Sequence, residues 1–214
     1  MSVDINVNLN QAQIMGAIRG RRSYALKYLS PEAIDLGDIE LMLEAANWAP
    51  SHGQTEPWRF TVFAGDGRQQ LSDAFGEAYR LLTPEVVRRP ELEQAQRDRV
   101  WQAPVWISIG MEPGLNERGG RRMPEWEEII ATGIAVQNAH LMASSLGLGA
   151  KWTSNTVATH SHVAQLVGLE PPARLLGFLY VGRPAVELLP GTRRPLADKV
   201  RWVTDAGDAA PSSR

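Results

Sequence analysis

The stretch from Pro124 to Leu146 does most to limit what this chain can fold into. Read as a helix, it is apolar or small almost all the way round, with Ile129, Ile130, Gly133, Ile134, Ala135, Val136, Ala139, Leu141, Met142 and Ala143 leaving no broad polar face. Such a helix has to be covered on most sides, and its small residues let neighbouring backbones come close. It predicts a central helix in a layered domain, part of whose surface is available to a second subunit.

The rest of the chain supplies the layers. Residues 11–19 read as a short first helix ending at Gly20. In 36–48, Ile39, Met42, Leu43 and Ala46 recur at helical spacing until Pro50 stops the run. Residues 58–64 alternate as a strand, Gly65-Asp66-Gly67 turns, and 68–82 and 85–101 read as two helices, the second with a strongly charged face expected to be solvated. Residues 104–110 form an apolar run of strand length, suited to a sheet centre. A strand at 150–155, a helix at 161–167 and a strand at 175–181 complete one domain spanning 11–203. It lies between an N-terminal extension at 1–10 and a tail at 204–214 expected to be disordered. Helices and strands alternate without a regular βαβ period, so the expectation is an α+β layered fold: a central mixed sheet flanked by helices around the long buried helix.

At 214 residues, 43% of them hydrophobic, the chain can bury a substantial core. A net charge of -2 gives no bulk attraction to nucleic acid or anionic membrane, and neither is expected as a partner. No cysteine is present, so any redox chemistry has to come from a cofactor. The first ten residues lack the charged and apolar regions of a secretory signal, which sets the expectation of a cytoplasmic protein.

Four segments carry the chemistry. Arg21-Arg22-Ser23 follows the first helix; the bare tripeptide would do no more than offset a helix dipole, but guanidinium groups and a hydroxyl also suit a phosphate. Ala49-Pro50-Ser51-His52-Gly53-Gln54-Thr55-Glu56-Pro57-Trp58-Arg59-Phe60 is a turn-rich loop leading into a strand, with Trp58 expected in the core. Gly147-Leu148-Gly149-Ala150-Lys151-Trp152-Thr153-Ser154 follows a helix and precedes a strand, the reverse of a dinucleotide fingerprint, so its glycines end the helix and let backbone run close to a planar ligand. Gly177 to Pro184 forms the last core strand. No serine-nucleophile elbow, phosphate-binding Gly-Lys loop or His-Glu-x-x-His motif competes, and His140, His160 and His162 show no metal-ligand spacing, so no metal site is expected.

In order and spacing the four segments resemble the flavin-binding signature of the nitroreductase family, small single-domain branch. The resemblance implies that Arg21, Arg22 and Ser23 hold the phosphate and ribityl end of FMN, joined by Arg193 from Gly191-Thr192-Arg193-Arg194-Pro195-Leu196. It implies that Ser51, His52 and Gln54 stand over the ring, often that of the neighbouring subunit, and that Trp152, Thr153 and Ser154 line it. Trp152 has a core role as its alternative. The function implied is an oxidoreductase homodimer in which FMN takes a hydride from NAD(P)H and passes electrons to a nitroaromatic, quinone or similar acceptor, with His52 a substrate contact. A flavin-storage or sensing protein, or a dehalogenase or ene-reductase relative, is the alternative. Two departures matter. The position two after Ser23, basic in many relatives and close to flavin N1 and O2, is Ala25, with Lys27 and Lys151 the nearest candidates to replace it. Glu56 stands where a glutamine is usual.

Overall fold

The computed structural model describes residues 10–204. The expectations for residues 1–9 and 205–214 lie outside it. Helix α1 (Gln11–Gly20) starts at a complete capping box, in which Asn10 and Gln13 exchange side-chain-to-backbone hydrogen bonds. It is followed by β1 (Leu29–Ser30), α2 (Leu36–Asn47), β2 (Trp58–Arg59), β3 (Val62–Ala64), α3 (Arg68–Leu82), α4 (Pro90–Trp101), β4 (Val105–Met111), α5 (Glu125–Ser145), β5 (Gly149–Thr153), α6 (Ser161–Leu166) and β6 (Arg174–Pro184). The architecture is α+β.

All ladders of the six-stranded sheet are antiparallel, whereas the sequence suggested a mixed sheet. The reason is an insertion. Strands β4 and β5, linked across α5, run in the same direction, but β6 lies between them and pairs antiparallel with both. The parallel contact among the described residues is the isolated bridge Ser23–Ala150. The expected strand 58–64 is two short strands, because Thr61 bonds the side chain of Ser108 as well as its backbone. The expected helix 85–101 splits into a 3-10 turn at Glu85–Val87 and α4, whose first residue, Pro90, has a fixed φ and no N–H and so cannot continue a helix from before it.

Two apolar layers cover the sheet. On one side α2 and α5 pack Met42, Ala46, Ala135 and Ala139 against Ile107, Leu179 and Val181. On the other, α3 and α6 enclose Phe75, Trp106, Phe178 and Tyr180, whose rings meet edge-on or tilted with centroids 5.0 to 6.2 Å apart. Trp58 is buried as expected and donates its indole N–H to Asn47. The central helix has one open side: Trp126, Ile130 and Ile134 are exposed at 62%, 52% and 37%. Helix α1 buries none of its residues within the chain.

The end of β6 nearest β5 depends on Gly177. The β4–β6 register shifts between Ile109 and Gly110, and opposite this bulge Gly177 adopts φ +128°. A Cβ there would stand 2.2 Å from the carbonyl oxygen of Thr153. The bulge also lets the Leu176 carbonyl accept the Trp152 indole N–H at 3.0 Å. Gly177→Ala is therefore expected to destabilise the fold by at least ~2 kcal/mol, measured as a shift in the urea midpoint.

Candidate functional site

Arg21, Arg22 and Ser23 leave α1 and cross to the sheet, where Ser23 bridges Ala150 on β5. The Ala150 carbonyl anchors this crossing. It accepts the Tyr24 amide at 3.1 Å and His140 Nε2 at 2.7 Å, which gives His140 the Nε2–H tautomer. His140 sits on α5, buried behind the arginines.

The extended segment after β6 brings the third arginine. Arg22 donates to the carbonyls of Arg19, Arg21 and, at 3.2 Å, Leu189, which holds the segment against the Arg21–Ser23 crossing. Arg193 then stands close enough to Arg21 to act on its charge. The Arg21 guanidinium is held below its ordinary value first by burial, then by Arg193 and Arg22. No carboxylate pairs with Arg21, Arg22 or Arg193 among the described residues. Uncompensated cations that repel one another are costly unless an anion joins them. Arg21 Nη1 also donates to Ser23 Oγ at 3.4 Å, which puts a hydroxyl at the edge of the cluster. The donor set fits a phosphate.

Two β5 residues on opposite faces mark where a ring could lie. Trp152 is half-buried against the α2–α5 core, and its indole N–H donates to the Leu176 carbonyl. Thr153 faces the other way and accepts from Arg99 Nη2 at 3.1 Å. Ser154 is exposed just beyond the strand.

The 51–58 loop is built by unusual backbone. Gly53, Gln54 and Glu56 have φ of +62°, +52° and +41°, and the Ser51 hydroxyl accepts the Glu56 amide at 3.1 Å. Gln54 and Glu56 are exposed. His52 Nδ1 lies 2.6 Å from Glu127 Oε2, and together they border a groove of about 350 Å³ with Trp126, Ile130 and Ile134. Arg122 donates to the Gly53 carbonyl at 2.7 Å, and the buried Glu128 accepts from Gly114 at 2.7 Å and from Arg121 at 3.4 Å. The loop before α5 is thus fastened to the 51–58 loop.

Within one chain, Arg21, Arg22, Ser23 and Arg193 come together, and Trp152, Thr153 and Ser154 continue from the Ser23–Ala150 bridge. Ser51, His52 and Gln54 form a separate group beside α5. A cleft of about 670 Å³ between Arg121, Glu125, α6 and Arg174 contains none of these ten residues. Its two arginines are already paired with Glu125, which argues against an anion site there.

The sequence profile of the nitroreductase family matches residues 18–183, most of the chain and nearly all of the segments described above. The chain belongs to the nitroreductase family.

Among relatives of this nitroreductase-family chain is the Bacillus subtilis (strain 168) protein YfhC, named "Putative NAD(P)H nitroreductase", 27% identical over 85% of this chain and 90% of its own. A nitroreductase-like family protein from Bacillus cereus superposes with a TM-score of 0.75 at 25% identity, over 91% of this chain and 98% of that one. A Desulfovibrio desulfuricans protein solved in complex with FMN superposes with a TM-score of 0.65 at 27% identity, over 90% and 96%.

Several residues that the structure places beside these segments were not singled out from sequence. Arg99 belongs to a charged helix face read as solvated, and Glu127 and Glu128 lie in the helix read as apolar or small nearly all round. His140 looked like one more unassigned histidine. Only the proximity of distant segments reveals any of them.

His140 gives the site a pH signature. Burial depresses its pKa below 6.5, outweighing the Ala150 bond that favours the charged form, and the charge of Arg21 adds to the depression. The unfolded chain therefore binds the proton more readily than the folded one. Stability falls as pH drops below 6.5 towards the folded-state value, and rises again as pH returns through that window. His140→Gln, which retains a donor for Ala150, should flatten this part of a urea-midpoint profile against pH.

Proposed function

We propose that this protein is an FMN-dependent oxidoreductase that draws reducing equivalents from NAD(P)H and delivers them to nitroaromatic, quinone or similar small acceptors. The observation that carries this reading is the cluster of Arg21, Arg22 and Arg193, which meets without a carboxylate and is joined through the Ser23–Ala150 bridge to β5. Its support from relatives is the FMN complex among the similar structures and the nitroreductase naming of the B. subtilis protein.

In this mechanism Arg21 and Arg193 hold the FMN phosphate, Arg22 keeps the Leu189 segment in place over it, and the Ser23 hydroxyl adds a hydrogen bond. The backbone of Thr153 and Ser154 borders the ring. Bound FMN supplies the redox chemistry, accepting a hydride from NAD(P)H at N5 and passing two electrons to the acceptor. Donor and acceptor occupy one open site in turn, which is a ping-pong scheme needing no side-chain nucleophile. His52, oriented by Glu127, presents its free ring nitrogen to whichever of them is bound. Ser51 and Gln54 help shape that side of the site.

The working unit in this reading is a homodimer. An isolated helix as short as α1 is marginal in water, yet α1 exposes Ile14, Met15 and Ile18 while α5 exposes Trp126, Ile130 and Ile134. The segment after β6 exposes Leu189, Leu196 and Trp202 as well. A second copy covering these surfaces would bring the 51–58 loop of one subunit to the arginine and β5 elements of the other, the two groups that stay apart in a single chain. Sedimentation should show a species twice the 23.6 kDa chain mass, and Ile134→Glu should shift it towards monomer.

Purified protein should be yellow, release FMN on heating and bleach on anaerobic addition of NADPH or NADH. Arg21→Ala should weaken FMN binding on the order of tenfold to a hundredfold, the scale of a lost charge-assisted hydrogen bond. Protein that cannot be loaded with FMN would refute the reading. Protein that stays yellow with both nicotinamides would favour a storage or sensing role.

A further inference from the structure

The pair formed by His52 and Glu127 fixes a direction more than it adds stability. His52 Nδ1 lies 2.6 Å from Glu127 Oε2, and because an ionised carboxylate can only accept, Nδ1 carries the proton. Nε2 bonds nothing among the described residues. The side chains are 68% and 23% exposed, and an ion pair that open contributes little to stability. What Glu127 sets is the orientation of the ring. The loop beneath it is held too. Gly53, Gln54 and Glu56 keep positive φ, a Cβ on Gly53 would stand 2.5 Å from the Met123 methyl, and Arg122 binds the Gly53 carbonyl. None of these contacts uses Nε2. Strained backbone fastened around one free ring nitrogen points to a working side chain.

The chain has four histidines, and the other three are engaged or lie elsewhere. His140 is buried with Nε2 on the Ala150 carbonyl. His160 accepts the His162 amide through Nδ1 at the start of α6, and His162 lines a groove between α3 and α6 with Gln70 and Asp73. His52 alone belongs to the group of residues assigned to the site.

We propose that His52 is the proton donor to the electron acceptor and that Glu127 is its positioning residue. The inference rests on the reading that a second copy carries the 51–58 loop to bound FMN. The two halves of the reaction differ in their need for an acid. NAD(P)H gives up a hydride from carbon and leaves as NAD(P)⁺, with no proton required. A quinone that gains this hydride by way of FMN receives two electrons and one proton and becomes an anion. One further proton on oxygen completes the hydroquinone. His52 in its charged form supplies it from Nε2 and becomes neutral imidazole. The Nδ1–H bond to Glu127 persists throughout, so the ring need not turn, and solvent returns the proton to Nε2.

The test separates acceptors by their demand for protons. Benzoquinone needs them to form hydroquinone, whereas ferricyanide takes an electron and no proton. FMN-loaded protein is reduced anaerobically with NADPH and mixed with each acceptor. His52→Gln should slow reoxidation by benzoquinone about a hundredfold, the lower end of what a positioned acid contributes. It should leave reoxidation by ferricyanide, reduction by NADPH and FMN affinity within about threefold. Glu127→Gln should lower kcat for benzoquinone about tenfold with KM within about threefold, the scale of losing an orienting hydrogen bond. Glu127→Asp should recover part of that loss. Independently of turnover, proton–nitrogen NMR of the FMN-loaded protein should place the proton of neutral His52 on Nδ1, and Glu127→Gln should shift the population towards Nε2.

Equal slowing with both acceptors in His52→Gln overturns the proposal, because it makes His52 a steric or structural contact. An unchanged benzoquinone rate overturns it as well. A ring that keeps its proton on Nδ1 in Glu127→Gln refutes the positioning role. Wild-type protein that binds no FMN, or that sediments as a monomer, is recognised before any variant is made; either result refutes the reading beneath this inference rather than the inference alone.

Discussion

The carbonyl of Ala150 is the joint on which the site hangs. It accepts from the Tyr24 amide and from His140, and so ties the chain leaving α1, the strand β5 and the central helix to one oxygen. A hydrogen bond contributes only about 1 kcal/mol net, but the penalty for a buried donor left unpaired is larger. Any displacement of β5 would strand His140 and release the Arg21–Ser23 crossing together. The position of the Arg21–Ser23 crossing relative to the strand is therefore a property of the core, not of a flexible surface loop.

That rigidity carries an electrostatic cost. Arg21 is partly desolvated and repelled by Arg22 and Arg193, so the apoprotein holds like charges together that would separate if free. The stabilising energy comes from elsewhere, from the apolar layers on the two sides of the sheet. Segregating the apolar core from the strained cationic edge lets an anion stabilise the protein without repacking its interior.

The sequence revealed those parts of the fold whose signal is local. The apolar run of β4 and the all-round apolar character of α5 marked the two central elements, and the Arg21–Ser23 and 147–154 segments proved to be neighbours in space. It did not reveal the insertion of β6 between β4 and β5, because strand order leaves no mark in a periodic pattern. It also treated the arginines around α4 as one solvated group, although they divide by partner. Arg97 pairs with Asp73 and Glu93, Arg88 bonds the carbonyls of Arg80 and Thr83, and Arg99 turns inward to Thr153. Charge patterning identifies a polar face, but not which of its members reaches across to another strand. The expected burial of α5 was right for Ala135 and Ala139, while Trp126, Ile130 and Ile134 mark a side this chain does not cover by itself.

The loop between β4 and α5 is constructed so that its base and its tip can evolve separately. At the base, Gly114 and Arg121 bond Glu128, and Arg122 bonds Gly53. At the tip, the Asn116 side chain accepts the amides of Arg118 and Gly120, forming a turn that satisfies itself. Residues can be exchanged, or the tip lengthened, without disturbing the joint with the 51–58 loop. Descendants of such a chain could change what approaches the 51–58 loop while inheriting the same cationic edge.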